Sequence, residues 1–153
     1  MCSSDLLGVR GPGHTVAKML DPVVGAPTLR LVNHTHPEFG ALMAAWAESS
    51  GANAMLLRGT EGEPVADPRR QPRVDTWLGG RLRPELSLAA QEGVLAALPL
   101  LPRETDAAHT AVYVQEVLSG MRPVPPPLAR QAAQIVAAVA LLSRAAAPLE
   151  LTA

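Results

Sequence analysis

Short apolar runs alternate with loops rich in glycine and proline along this chain, and the pattern predicts an α/β fold. Residues 28–33 and 54–57 are short and apolar, as buried strands are. Between them, Pro37 suits the first turn of a helix, and the apolar residues after it recur at the spacing of one helical face: Phe39, Leu42, Met43, Trp46 and Ala47. A strand, a helix and a strand in this order predict a right-handed crossover between two parallel strands.

Beyond this unit, a short helix is expected at residues 15–20, and Gly79 and Gly80 predict a hairpin. Thr105 is expected to cap a helix that runs to about Ser119. The proline-rich residues 121–127 are expected to form an extended linker, followed by a helix over residues 128–147 that is apolar almost all round. Because two parallel strands and a hairpin leave a sheet edge unpaired, we expect an incomplete domain that unfolds with poor cooperativity.

The composition of the chain limits which binding partners and which cellular location are expected. A length of 153 residues fits one domain, and a net charge of -1 gives no overall attraction to nucleic acid, so such binding needs a local basic patch. The longest apolar run, residues 135–142, is too short to span a bilayer, so no membrane partner is expected. Cys2 is the only cysteine, which excludes an internal disulfide and favours a cytoplasmic location.

The two ends of the chain are set apart from the domain. Residues 1–6 have no periodicity, and we interpret them as a non-native leader; an ordinary disordered N-terminus is the alternative. The domain is expected to cover residues 7–147, and residues 148–153 are expected to form a tail.

The loop over residues 57–72 carries the clearest chemical signal. Its glycines allow backbone amides to approach a ligand closely, and its arginines are fork-shaped donors that suit phosphate. Because the carboxyl ends of parallel strands open at one edge of a sheet, His34 and His36 are expected to lie near residues 58–63 around a common crevice. A charged connector without a binding site is the alternative interpretation.

The same residues hold the ligand types of a metal site, since His34 and His36 would lie near Glu61 and Glu63. We favour a simpler role, in which His36 caps the following helix and His34 meets backbone, and predict no metal. The spaced acids Glu61 and Glu63 could bind magnesium that a diphosphate brings. No serine has a histidine and an acid as partners in the sequence, so no catalytic residue is assigned.

Residues 7–15, 34–38 and 57–72 together resemble the anthranilate phosphoribosyltransferase-like proteins of glycosyltransferase family 3, and in particular their DNA-binding YbiB branch. The resemblance implies that residues 7–147 are the C-terminal part of the family's catalytic-type domain, a partial Rossmann-like parallel sheet flanked by helices. The family's helical domain and its diphosphate-binding glycine loop have no counterpart in the chain. The resemblance also implies a homodimer for the full-length protein.

Two functions follow from the resemblance. In the transferases, the matching loop ends in an adjacent acidic pair that holds Mg²⁺, whereas here Pro64 follows Glu63 and Arg58 replaces a histidine. Arg10 matches the arginine that contacts anthranilate, and the segment through His14 opens a helix where an anion can bind. The chain is therefore either part of a pentosyltransferase that uses phosphoribosyl pyrophosphate and Mg²⁺, or part of a nucleic-acid-binding protein with weak sequence preference and no cofactor. A third possibility is that this fragment has no function of its own, and we expect it to be inactive alone. We favour binding, because the acidic pair is interrupted.

The expected site residues form two groups. The residues expected to bind a small ligand or anion are Arg10, His14, His34, His36, Arg58, Gly59, Glu61 and Glu63. The residues expected to contact nucleic acid are Lys18, Arg69, Arg70, Arg73, Arg81 and Arg83. From Arg58 to Arg83, six arginines face four acids, an excess of two, so a dimer that pools two patches is the expected binder. In the alternative interpretation, the arginines pair with loop acids on a solvated surface.

Overall fold

The computed structural model describes residues 16–21, 23, 25–59 and 63–146. One mixed sheet contains four strands in the order β1-β2-β3-β4, namely β1 (Arg30–His34), β2 (Ala54–Arg58), β3 (Val74–Leu78) and β4 (Arg81–Leu82). β1 and β2 are parallel, and the remaining pairs are antiparallel. Helix α1 (Pro37–Ser50) joins β1 to β2. The α/β class, the strand–helix–strand unit and the hairpin at Gly79 and Gly80 are thus confirmed, although the sheet is mixed and not parallel throughout.

Helix α1 packs on one face of the sheet. Alternate residues of a strand point to opposite faces, so Ala54 and Leu56 meet Met43 and Ala47 of α1, together with Val32 and Trp77. The helix ends at Gly51, which has a φ of 68° and donates its N–H to the carbonyl oxygen of Ala47. Two of the residues predicted on the buried face, Phe39 and Leu42, are exposed instead. The apolar residues of α1 therefore extend beyond the part of the helix surface that the sheet covers.

The opposite face of the sheet is covered by helix α3 (Pro126–Ala146), where Ile135 packs against Met55, Leu57 and Val74. This helix begins two residues earlier than the sequence predicts. Proline is tolerated in the first turn of a helix, where backbone N–H groups have no partner within the helix. The expected linker over residues 121–127 is therefore shorter than predicted.

Helix α2 (Ala107–Leu118) lies between these elements in the sequence, and none of its residues is buried. Its cap is Asp106 and not Thr105, so the predicted cap is wrong by one residue. One carboxylate oxygen of Asp106 accepts hydrogen bonds from the backbone nitrogens of Ala108 and His109, at 2.9 and 3.0 Å. The negative charge also suits the positive end of the helix dipole.

Residues 16–20 form a single helical turn, in which the backbone N–H of Met19 bonds to the carbonyl of Val16. The predicted leader and tail lie outside the described residues. No helix within the described ranges is both long enough and apolar enough to cross a bilayer.

The hairpin turn offers a test of the packing between the sheet and α1. A Cβ on Gly80 would lie 2.7 Å from the carbonyl oxygen of Glu48 and 2.9 Å from the Cα of Gly51, whereas one on Gly79 would meet nothing within 4 Å. Both glycines have positive φ, so alanine carries a conformational cost of about 1 kcal/mol at either position. We expect Gly80→Ala to lower the free energy of unfolding by about 2 kcal/mol more than Gly79→Ala in urea titrations. Equal losses would contradict this packing.

Candidate functional site

Three basic residues occupy neighbouring positions at the carboxyl end of the parallel strands. His34 lies opposite Arg58 in the register of β1 and β2, and Arg73 comes next in the row, because Val74 pairs with Leu57. All three share the face of the sheet on which α1 packs, since they are in phase with Val32 and Leu56. Together with Arg70, which comes from the loop before β3, they line a cavity of about 290 Å³.

Two aspartates share this cavity with the basic residues. The single N–H at Nε of Arg73 donates a bifurcated hydrogen bond to the two carboxylate oxygens of Asp75, at 2.8 and 3.0 Å. Asp67, which is buried, accepts from Nε of Arg69 at 3.0 Å and lies 3.5 Å from Nε of Arg70. The side-chain hydrogen bond from Arg69 outweighs desolvation and holds the pKa of Asp67 below its ordinary value. Asp67 is therefore ionised at neutral pH and orients both arginines.

Arg58 differs from the other cavity arginines. None of the ion pairs that the described residues form with one another involves Arg58, whose strand position is exposed. Arg58 is thus the cavity arginine that forms no ion pair with a carboxylate of the described residues. The cavity has three arginines and two aspartates, so its charge is positive even when His34 is neutral.

Gln131 of helix α3 binds the backbone of the loop between β2 and β3, which carries Arg69 and Arg70, from the opposite face of the sheet. The backbone N–H of Ala66 donates to Oε1 of Gln131 at 2.8 Å, and Nε2 of Gln131 donates to the carbonyl oxygen of Pro64 at 2.9 Å. The side-chain amide thereby pairs with the loop backbone as the peptide group of a neighbouring strand would. Since Gln131 is only 5% exposed, this contact is a buried clamp that fixes the loop immediately before Asp67.

Sequence reasoning missed the clamp, because a glutamine in a long helix is usually solvated. One signal was present in the spacing. Gln131 lies four residues before Ile135, which packs on the sheet, and seven before Ala138, which is buried. A polar residue in phase with a buried face needs a hydrogen-bond partner, and here the loop backbone supplies it.

Lys18 and Gly59 both contact Asn33 near the end of β1. Nζ of Lys18 donates to the backbone carbonyl of Asn33 at 2.9 Å and to its side-chain oxygen at 2.7 Å. Burial lowers the pKa of Lys18, and the charge of Glu63 partly opposes this effect. A Cβ on Gly59 would lie 2.5 Å from Nδ2 of Asn33 and 2.8 Å from the carbonyl of Glu63, so only glycine fits there. Lys18 thus holds the end of β1 through Asn33, and neither Lys18 nor Glu63 lines the cavity.

The two histidines differ from each other in their contacts. Nδ1 of His34 donates to the carbonyl oxygen of His36 at 3.0 Å, which is the expected contact with backbone. His36 is the N-cap residue of α1, as predicted, although its side chain makes no capping hydrogen bond. The His36 ring packs edge-on against Phe39. Histidine lacks the hydroxyl, carboxylate or amide oxygen with which the favoured cap residues accept hydrogen bonds from the first helical turn.

The remaining predicted site residues fall into two groups. Arg81 lies at the turn end of the hairpin, at the opposite end of β3 from Arg73, and Arg83 pairs with Glu85 at 2.6 Å. Arg10, His14 and Glu61 lie outside the described residues. Within residues 16–21, 23, 25–59 and 63–146, no group of three histidine, cysteine, aspartate or glutamate side chains could hold a metal ion.

Fold and site together define an α/β protein with a positively charged cavity at the carboxyl ends of two parallel strands. No protein-family model matches the chain. The chain is 33% identical over 127 residues to a protein of Escherichia coli (strain K12) described as "Uncharacterized protein YbiB". The match covers 83% of this chain and 38% of that protein, so the chain spans less than half the length of this curated relative. The identity supports a YbiB-like relation; the wider relation to anthranilate phosphoribosyltransferases stays a prediction.

The clamp predicts unequal roles for two glutamines on α3. Gln131→Ala leaves a buried N–H and a buried carbonyl of the loop unpaired, so we expect the free energy of unfolding to fall by about 2 kcal/mol. Gln134→Ala, the matched control, removes no side-chain hydrogen bond among the described residues and should change it by less than about 0.5 kcal/mol. Amide hydrogen exchange of Ala66 should speed up in the first variant alone. Similar exchange in both variants would exclude the clamp.

Proposed function

We propose that this chain supplies a phosphate-binding surface in a nucleic-acid-binding protein that has little sequence preference. The observation that carries the proposal is the cavity lined by His34, Arg58, Arg70 and Arg73. Guanidinium groups match phosphate oxygens in a two-point geometry, and contacts with phosphates supply affinity without reading sequence. The carboxyl ends of parallel strands are also where open α/β sheets most often bind ligands.

The charges of the cavity set the expected strength of binding. Arg73 already faces Asp75, but an exposed ion pair contributes only about 0–1 kcal/mol, so a phosphate can replace this carboxylate at small cost. The guanidinium of Arg70 is half-exposed and lies 3.5 Å from the buried Asp67, so it can bind a phosphate without displacing that carboxylate. Arg58 adds a positive charge that forms no ion pair with a carboxylate of the residues that the structure describes. A net charge of -1 for the chain gives no long-range assistance. Weak binding by one copy and stronger binding by a homodimer of the full-length protein are therefore part of the proposal, as is a cytoplasmic location.

A salt titration tests the cavity directly. For single-stranded DNA, each phosphate contact changes the slope of log affinity against log salt by about 0.7. The variant Arg58→Ala/Arg70→Ala/Arg73→Ala should therefore have a slope shallower by about 2 than the wild-type chain.

The matched control for this titration is Arg103→Ala/Arg130→Ala/Arg144→Ala, which removes the same charge from positions that do not line the cavity. This control should keep the wild-type slope. Equal changes in both triple variants would show that binding follows net charge, and the cavity would then have no special role.

The alternative function is phosphoribosyl transfer to an anthranilate-like acid with Mg²⁺. We expect no phosphoribosyl anthranilate to form from anthranilate, phosphoribosyl pyrophosphate and Mg²⁺, because Pro64 takes the place of the second acid after Glu63. The measurement is product formation over time with the purified chain. Product that depends on the chain and is lost in Glu63→Gln would overturn this expectation.

A further inference from the structure

An exposed aromatic pair lies beside the basic cavity. Phe39, the only phenylalanine of the chain, is 39% exposed in the first turn of α1. Its ring meets the exposed ring of His36 edge to face, with centroids 6.2 Å apart and an angle of 64° between the planes. His34 connects this pair to the cavity, since its Nδ1 bonds to the His36 carbonyl and its ring lines the cavity wall.

We propose that Phe39 and His36 form a stacking platform for an unpaired nucleobase, and that the interface therefore prefers single-stranded nucleic acid. This inference rests on the proposed function: a phosphate binds in the cavity, and a neighbouring base lies on the Phe39 ring. Aromatic side chains stack with bases of any identity, so the platform adds affinity without adding sequence preference. Bases in a duplex stack on one another and cannot lie on the platform.

Local charge favours a base over a phosphate at this point of the surface. Helix N-termini often bind phosphate through backbone N–H groups, but Pro37 lacks that group and the acidic Glu38 stands in the first turn of α1. A negative group placed on the Phe39 ring would thus be repelled. An uncharged base encounters no such repulsion, and the cavity arginines are available for its phosphate.

Gly40 fixes the position of the rings relative to the cavity. A Cβ at Gly40 would lie 2.8 to 3.0 Å from three atoms of the His34 ring, so the ring rests directly against the first turn of α1. This close approach brings the helix start, with Phe39, against the cavity wall. The platform and the phosphate cavity therefore form one continuous surface across His34.

The test compares three ligands of equal length at one salt concentration: a thymidine strand, an abasic strand with the same phosphates, and a duplex. The wild-type chain should bind the thymidine strand about tenfold more tightly than the abasic strand, and more tightly than the duplex. Phe39→Ala should lose this tenfold ratio while its affinity for the abasic strand stays unchanged. Phe39→Trp should keep the ratio, because tryptophan also stacks.

Leu42→Ala is the matched control, since Leu42 is another exposed apolar residue of α1 and is 51% exposed. It should keep the wild-type ratio, and melting curves should show that every variant remains folded.

Two outcomes would overturn the stacking platform without affecting the proposed phosphate cavity. The first is equal affinity of the wild-type chain for the thymidine and abasic strands, and the second is a preference for the thymidine strand that survives in Phe39→Ala. Duplex binding as tight as that of the single strand would overturn the strand preference. Failure of the wild-type chain to bind any of the three ligands would overturn the proposed function itself.

Discussion

Burial of strand β2 on both of its faces is the constraint on which the rest of the structure depends. Ala54 and Leu56 pack toward α1, whereas Met55 and Leu57 pack toward Val74 and α3. A register shift of one residue would exchange these two sets, so the packing of both helices fixes the strand in place. Arg58 is in phase with Leu56 and therefore lies on the α1 side with His34. The basic row at the strand ends is thus a consequence of how the core is packed.

Local sequence patterns were sufficient for most of the fold and for part of the site. The strand–helix–strand unit and the glycine turn of the hairpin both follow from residues close together in the chain. The expectation that His34 lies near Arg58 was also correct, because parallel pairing places the two strand ends at one edge. The helix starts were less accurate, since Thr105 and Asp106 are both good capping residues and only the observed backbone geometry distinguishes them.

Contacts between residues distant in sequence could not be predicted in this way. The hydrogen bonds of Gln131 join positions more than 60 residues apart, and the helical pattern alone does not reveal which loop the helix faces. Residues 64 and 66 can make these hydrogen bonds only when α3 is docked against the sheet. Ordering of Asp67, and with it the orientation of Arg69 and Arg70, is therefore expected late in folding, when the long-range contacts have formed.

The aspartates of the cavity have a consequence for how quickly a ligand can leave. Asp67 and Asp75 keep the arginine side chains ordered before any phosphate arrives, which reduces the entropy lost on binding. Under the proposed function, a phosphate that binds Arg73 would displace the carboxylate of Asp75, which stays tethered beside it and would return as soon as the phosphate moves away. This internal competitor would shorten the residence time of each contact and let the surface pass from one phosphate of a polymer to the next without releasing the strand.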